Sequence, residues 1–543
     1  MKRFLYSVLV LLLCTSCESL LDLEPKNGVT FEHYFATEQD LEALVTQMHG
    51  NLRTALAMVT KQELIGLRVD VVKQGSEMNK IRGLNTDYFL NHSTQQQWRA
   101  YYNTLAIVDL FFDNYKKAKD VAPERVRFYC GQGEFVKAMC YFYLVRMWGD
   151  AVITKGSNYI DKYAKSPASV VLDTAIHAAL QAYDMLPKYG NLKNSNNKAL
   201  TSKQYGCKGS AAALLAHLYA WKAHVVGGQE DLKESEKWAS KLIEEKYRDE
   251  VGGYTLAANP EEVCSEVMHR KSAESIFELE INYQDVSSYS TFLPAYSMIG
   301  APVVKTEEKM KIKSKDLGIT IAEVNSLFPV GDARREAYFY KLDDPEWQEA
   351  GLAYLYKWRY ARYGSSVAGE VWLSGMDVNR VIFRLADMYL LRAECRVKMD
   401  DRVGAEADLN VIRQRAGVEM WPAKNDSGDL KYDIFREREK ELLYEGHRYY
   451  SAVHGCSFSF PFGRIVHSCI GICFQFFIGG ITTSVRYPYY LELLFGIIQF
   501  AAILHFLLYH LFFIVGCDEE SYFGKFFHRM ITLFFYKNPF YSD

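Results

Sequence analysis

The sequence predicts a mostly α-helical protein built from helical hairpins, with long loops and a few short strands. Between about residue 30 and residue 450, apolar residues recur at steps of three or four, as on one face of a helix. Turn residues divide these segments into hairpins of about forty residues, although the period is too irregular to predict a regular solenoid. The net charge is −3 and no basic stripe is present, so nucleic acid is not an expected partner.

Two of the helical patterns lie in the first half of the chain. Residues 133–149 carry an apolar stripe and end at a Gly-Asp pair that is typical of a helix stop. Residues 202–224 carry a second stripe, and after the turn at Gly227-Gly228 a further helix is predicted at 232–246. These segments predict one long core helix followed by one helical hairpin.

The same helical spacing of apolar residues recurs in the second half of the chain. Residues 379–398 are apolar at helical spacing, and the next helix is predicted to run through 405–416 with Leu409 at the centre of its stripe. Gly417 follows directly, where a glycine can provide a left-handed C-terminal cap. This segment therefore predicts a second hairpin.

Strand and loop signals are few. Residues 274–283 alternate apolar and acidic side chains, which predicts a short strand with one face buried. Residues 287–304 are rich in Ser, Tyr, Pro and Gly and predict a long surface loop, and 194–197 predict a shorter polar loop.

The N-terminus has the pattern of a lipoprotein signal peptide. A short basic start is followed by apolar residues 4–13 and by two small residues directly before Cys17. We therefore expect residues 1–16 to be removed and Cys17 to carry lipid. Cys14 stands where an aliphatic residue is usual, and the alternative is a secretory signal that is cut elsewhere.

The cysteines in the body of the chain do not form a recognisable framework. Their number is odd and their spacing is scattered, so neither disulfides nor a zinc site are expected, and buried free thiols are the prediction. The five residues concerned are Cys130, Cys140, Cys207, Cys264 and Cys395.

The last ninety residues differ abruptly from the rest. Residues 454–543 contain 17 of the 32 phenylalanines, and the stretches 465–485 and 493–517 contain no Asp, Glu, Lys or Arg. Each stretch is long enough to be a transmembrane helix. We favour the other interpretation, that the tail results from translation in a shifted frame and that the body before it is incomplete.

Five segments of the chain are informative when they are taken together. They are ESLLDLEP at 18–25, the predicted opening helix at 35–41, EFVKAMCYFYLVRMWGDAV at 134–152, RLADMYLLRAECRVKMDDRVGAEADLNVIRQRAGV at 384–418, and REREKELLYEGHRYY at 436–450. In this order, they resemble the SusD/RagB family of nutrient-uptake outer-membrane lipoproteins. The resemblance covers residues 17–453. It implies an N-terminal helical region at 17–270 and an incomplete C-terminal region at 271–453, with the tail at 454–543 outside the family.

The resemblance also implies a function. Family members have tetratricopeptide-like hairpins and act as lid-like partners of a TonB-dependent, SusC-like transporter in the outer membrane, where they deliver a glycan or sometimes a peptide. The family has no shared catalytic residues or cofactor to carry over, so a non-catalytic binding protein is expected. The alternatives are a surface glycoside hydrolase and a structural tetratricopeptide scaffold of the cell envelope.

No common catalytic motif is present, but one acidic cluster requires an explanation. Glu437, Glu439, Glu441 and Glu445 could suggest the carboxylate pair of a glycoside hydrolase. They alternate with basic residues on a predicted helix, where pairing three or four residues apart is ordinary, so a solvated face of ion pairs is the prediction. The segment 331–335 is expected to form a turn with a local salt bridge.

Loop aromatics are the candidate ligand-binding residues, because a pyranose ring can stack its C–H face on an indole or a phenol. Packing or contact with the transporter is the alternative role for these side chains. The first set is Tyr283, Tyr289, Phe292 and Tyr296, and the second is Tyr88, Phe89 and Trp98.

Overall fold

The computed structural model describes most of the chain between residues 35 and 451. The described ranges are 35–57, 70–71, 98–281, 303–305, 310–312, 317–348, 351–365, 367–369, 371–448 and 450–451. The chain divides into two units, 1–469 and 470–543, and every described residue lies in the first.

Helices dominate the described residues, as the periodicity predicts. The helices of six or more residues are α1 Glu38–Ala57, α2 Arg99–Asn114, α3 Pro123–Trp148, α4 Ala168–Met185, α5 Lys208–Val225, α6 Gln229–Ile243, α7 Ile321–Leu327, α8 Ala333–Tyr338, α9 Leu385–Lys398, α10 Arg402–Arg415 and α11 Leu430–Glu441. Short helical turns at Tyr115–Lys117, Glu245–Tyr247, Arg248–Val251, Pro260–Glu262, Val263–Val267 and Pro345–Trp347 connect them.

The long helices pack in chain order. Each helix from α1 to α6 lies against the next, α6 then packs against α9, and α9 packs against α10 and α11. The predicted hairpins are therefore confirmed as α5–α6 and α9–α10. The described residues between α6 and α9 form strands and short helices.

Helix α3 is longer and more deeply buried than its stripe predicts. It begins at Pro123, where proline is compatible with the first turn, and ends before Gly149, whose φ is 70°. Residues on all sides of α3 are buried. A Cβ on Gly131 would come within 2.9 Å of Met185 in α4, so glycine here allows two core helices to approach closely.

The start of α5 differs from the prediction. The helix begins at Lys208, not near residue 202, and the backbone N–H of Ser210 donates to the Cys207 side chain, which caps the helix. Gly206 lies so close to Phe135 that a Cβ there would be 2.8 Å from the ring. Packing against α3 thus fixes residues 202–207 outside the helix.

Within the described residues, the strands form five two-stranded antiparallel sheets. They are β1 Asp70–Val71 with β5 Leu317–Gly318, β2 Ser275–Leu279 with β10 Arg380–Arg384, β3 Val303–Lys305 with β4 Met310–Ile312, β6 Phe339–Tyr340 with β7 Tyr354–Leu355, and β8 Ala361–Ser365 with β9 Val371–Met376.

The β2–β10 pair corrects two expectations. Residues 380–384 form a strand rather than the first turn of a helix, because they pair with β2 and supply apolar side chains to the core. The strand predicted at 274–283 exists, but all five residues of β2 are buried, so it has no exposed acidic face. Glu278 instead accepts hydrogen bonds from the backbone of Lys271 and the side chain of Asn379.

The second hairpin encloses its own apolar core. Leu409 has no exposed surface, and Gly417 has the left-handed φ of 70° that was predicted for the cap. The buried residues of this cluster are Ala386, Leu390, Ala393, Ala405, Leu409, Ile412, Leu430 and Ile434.

Several remaining expectations are also decided within the described residues. The five body cysteines are buried and free, as predicted. The loop at 194–197 is a turn in which Asn194 accepts from the backbone of Asn196 and Lys198. None of the described helices has the length and apolar character needed to cross a bilayer, and residues 465–485 and 493–517 lie outside the described ranges. Of the loop predicted at 287–304, the structure describes only the start of β3.

Candidate functional site

Trp98 lies directly before α2, where it joins a group of partly exposed aromatic rings. Its ring centroid is 5.5 Å from that of Tyr102 and 6.2 Å from that of Trp148, which is the last residue of α3. Buried Tyr101 supports Trp148 from behind, with ring centroids 6.0 Å apart. We call Trp98, Tyr102 and Trp148 the aromatic cluster.

Helix geometry explains how the chain brings these rings together. Trp98 and Tyr102 are four residues apart and therefore lie on one face of α2. The start of α2 packs beside the end of α3, which places Trp148 against Trp98. Arg99 and Asn103 are exposed on the adjoining face of α2, where they can offer hydrogen bonds next to the rings.

The loop of residues 152–165, which follows α3, is fixed to the helices beneath it. We call it the anchored loop. The Tyr102 hydroxyl donates to the carbonyl of Val152 at 3.0 Å and accepts from its N–H at 2.9 Å. Burial raises the pKa of Tyr102 to about 12, so the hydroxyl remains protonated and able to do both.

Two more helix side chains hold the same loop. The Tyr141 hydroxyl of α3 accepts from the backbone N–H of Thr154 at 3.0 Å, and Asp113 of α2 accepts from that of Ser157 at 2.7 Å. Ala151 and Ser166 exchange two backbone hydrogen bonds and close the base of the loop. Loops of this length without regular structure are uncommon in compact folds, and those that pack against their own scaffold are frequently functional.

The outer side of the anchored loop presents a second pair of rings. Tyr159 and Tyr163 have centroids 4.7 Å apart at an angle of 53°, and Ile160 between them is 95% exposed. The ammonium group of Lys155 lies 4.8 Å from the Tyr159 centroid, and that of Lys165 lies 5.1 Å from the Trp98 centroid. The surface therefore combines partly exposed rings with cations on a rigid support.

This arrangement is suited to binding rather than to bond breaking. Aromatic faces with a few polar groups beside them are typical of ligand-binding surfaces, since the rings supply contact area and the polar groups orient the ligand. Because both helices and the anchored loop are held by hydrogen bonds, the rings lose little freedom when a ligand binds.

Of the predicted ligand residues, the structure describes only Trp98. Tyr283, Tyr289, Phe292, Tyr296, Tyr88 and Phe89 lie outside the described ranges, as does Cys17. The sequence reasoning missed Tyr102, Trp148, Tyr159 and Tyr163. Two tyrosines four residues apart in a Lys- and Ser-containing loop could have signalled the second pair.

The acidic cluster of α11 and the turn after it is a set of ion pairs, but the predicted solvated face is wrong. Glu437, Glu439, Glu441 and Glu445 are each at most 8% exposed. Glu437 pairs with Arg334 at 2.6 Å, and Glu445 pairs with Lys357 at 2.7 Å.

Glu441 lies among three arginines. It is 2.5 Å from Arg415, 2.9 Å from Arg384 and 3.5 Å from Arg334. Burial opposes its ionisation, but these arginines outweigh burial and hold the pKa of Glu441 well below its usual range. A carboxylate so engaged stays ionised and has no proton to donate at neutral pH.

The predicted turn at 331–335 is confirmed as a local salt bridge. Gly331 has a φ of 99°, and Asp332 pairs with Arg334 at 2.8 Å. Both side chains are fully buried, and Arg334 extends from this turn to Glu437 of α11. The turn thus joins α8 to the C-terminal hairpin region.

Two family models match the chain. One, described as the SusD family, matches residues 278–451, and the other, described as starch-binding and associating with the outer membrane, matches residues 20–219. A relative, SusD-like protein P25 of Formosa agariphila, is 21% identical over 493 residues, which cover 83% of this chain and 89% of the relative.

Solved structures agree on the fold. A SusD superfamily protein from Bacteroides thetaiotaomicron superposes with a TM-score of 0.60 at 21% identity, covering 77% of this chain and 90% of that one. NanU of B. fragilis superposes with a TM-score of 0.55 at 18% identity, covering 80% and 92%. The family models, the relatives and the mostly helical fold lead to one conclusion: the chain belongs to the SusD/RagB family.

Proposed function

We propose that this protein is a lipid-anchored nutrient-binding protein of the outer membrane, which binds a glycan and delivers it to a TonB-dependent, SusC-like transporter. The family membership and the description of the N-terminal family model as starch-binding and outer-membrane-associated support the proposal. The sequence before Cys17 supports the lipid anchor.

The aromatic cluster is the observation that supports a glycan as the ligand. Trp98 and Trp148 are partly exposed at the surface. The Trp148 ring is backed by buried Tyr101, and the two indoles are held by two packed helices. A pyranose could therefore stack on these rings once the flexible Lys165 side chain, whose ammonium lies 5.1 Å from the Trp98 centroid, moves aside.

Binding to a panel of neutral and acidic polysaccharides, measured by affinity gel electrophoresis, tests the proposal. We expect Trp98→Ala to weaken binding at least tenfold, about 1.4 kcal/mol, and Trp98→Phe to retain most of it because a flat face remains. Tyr360→Ala removes another partly exposed ring, stacked on His269, and serves as the control. Equal affinities of the Trp98→Ala and Tyr360→Ala proteins would show that the aromatic cluster is not the glycan site.

The anchor and the transporter need separate tests. Cys17→Ala should leave the protein exported but without lipid, so palmitate labelling and retention in the membrane fraction should both be lost. Labelling of the Cys17→Ala protein would contradict the anchor. Affinity purification of the native protein in mild detergent should recover a TonB-dependent transporter, and release of reducing ends from any polysaccharide would instead favour a hydrolase.

A further inference from the structure

Three lysines of the anchored loop, like several others of the described chain, form no ion pair. Elsewhere, ammonium groups commonly pair with carboxylates, for example Lys222 with Asp173 at 3.0 Å and Lys241 with Glu250 at 2.8 Å. Among the described residues, no carboxylate lies within 4.0 Å of the ammonium groups of Lys155, Lys162 or Lys165. The positive charge of this loop is not neutralised by local ion pairs.

The anchored loop itself carries a net positive charge. Residues 152–165 contain three lysines and one acid, Asp161, which gives a net charge of +2 (3 − 1) in a chain whose total is −3. Asp113 accepts hydrogen bonds from Ser157, and Asp150 accepts one from the backbone of Ala168 at the start of α4. These hydrogen bonds hold the backbone in place, and the net positive charge belongs to the loop's own side chains.

Two of the ammonium groups lie beside the partly exposed rings. The Lys155 ammonium is 3.5 Å from the Tyr159 hydroxyl, and the Lys165 ammonium lies over Trp98. A sugar that stacks on Tyr159 or Trp98 would therefore carry its ring substituents into contact with a cation. An ammonium group in this position favours a carboxylate or a sulfate over a hydroxyl, because charge-assisted hydrogen bonds are the stronger kind.

We propose that the anchored loop is a subsite for negatively charged glycans, in which Tyr159 and Tyr163 stack on the sugar and Lys155 and Lys165 bind its carboxylate or sulfate groups. The inference rests on the proposed function, since it specifies the class of glycan that is bound. It gives Tyr159 and Tyr163 a role in ligand binding that is separate from that of the aromatic cluster.

Affinity gel electrophoresis of the full chain with three probes tests the proposal. Dextran and dextran sulfate share a glucan backbone and differ in charge, and polygalacturonate carries carboxylates. We expect the wild-type protein to bind at least one charged probe at least tenfold more tightly than dextran. Whether sulfate or carboxylate is preferred follows from the comparison of the two charged probes.

A matched pair of triple variants separates a site from general electrostatic attraction. Lys155→Gln, Lys162→Gln and Lys165→Gln together should weaken binding of the charged probe at least tenfold. The same change at Lys233, Lys237 and Lys246, which are at least 54% exposed and belong to ordinary ion pairs, alters the net charge equally and should change the affinity less than twofold. Equal losses in both variants would overturn the proposal.

The remaining outcomes distinguish this inference from the proposed function. Tight binding of neutral glycans alone, lost on Trp98→Ala but not in the loop variant, would refute the inference and leave the proposed function standing. Failure to bind any polysaccharide would refute both. If the loop variant loses the transporter in affinity purification but retains its affinity for polysaccharide, the loop is a transporter contact and the inference is wrong.

Discussion

Replacing Glu441 by Gln removes one negative charge from the middle of a buried group of arginines while preserving the shape of the side chain. Arg415, Arg384 and Arg334 all lie within 3.5 Å of the carboxylate, and each is at most 4% exposed. Removing one partner of a buried ion pair costs about 3–5 kcal/mol, because the remaining charge is left uncompensated away from water. Since domains are stable by about 5–15 kcal/mol, we expect a large loss of stability.

Chemical denaturation followed by tryptophan fluorescence measures this loss. Glu419→Gln makes the same substitution at an exposed position and should change the free energy of unfolding by less than about 0.5 kcal/mol. The pH dependence gives a second measurement. The folded-state pKa of Glu441 lies below 4.5, the ordinary pKa of a glutamate. Its contribution to the free energy of unfolding is therefore complete above pH 4.5 and decreases as the pH falls below that value.

The Glu441→Gln protein should therefore lose less stability than the wild type between neutral and acidic pH. If the two proteins have the same free energy of unfolding at pH 7 and the same acid dependence, the ion-pair network does not stabilise the fold and the reasoning is refuted.

Three further predictions follow from the core and the tail. Leu409→Ala should lower the free energy of unfolding by about 2–5 kcal/mol. Val403→Ala changes an 81% exposed position on the same helix and should have almost no effect. Equal effects of the two substitutions in denaturant titrations would mean that α10 is misplaced. Burial raises the pKa of Cys130, Cys264 and Cys395 to about 12. A thiol reagent at pH 8 should therefore label these three residues only after unfolding, and rapid labelling of any of the three in the native protein would contradict their burial. If residues 454–543 are a frame-shifted tail, deleting them should leave glycan affinity unchanged, and detection of the tail in mature protein encoded by a continuous, verified reading frame would refute the shift.

The parts of the fold that depend on local periodicity could be predicted from the sequence. The stripe through Leu409 and the cap at Gly417 are set by residues only a few positions apart, and both were correct. Residues 380–384 were assigned wrongly because their strand conformation depends on pairing with β2, about a hundred residues earlier in the chain. Local spacing carries no information about that partner.

Exposure of charged and aromatic side chains was harder to predict for the same reason. Alternating charges around Glu441 correctly indicated ion pairs, but its partners Arg334, Arg384 and Arg415 come from three separate segments, whose convergence buries it. Trp98 could be proposed from its own surroundings. Its neighbours Trp148 and Lys165 join it only through the packing of α2 against α3 and the return of the anchored loop.

The way in which the anchored loop is attached has a consequence for how such proteins diversify. Tyr102, Tyr141 and Asp113 belong to the helices, and each holds a main-chain N–H of the loop. Main-chain groups are the same whichever residue occupies the position, so most outward side chains of the loop can be exchanged without loosening its attachment. A scaffold of this kind can acquire a new specificity by substitution within one short segment while its helices remain unchanged.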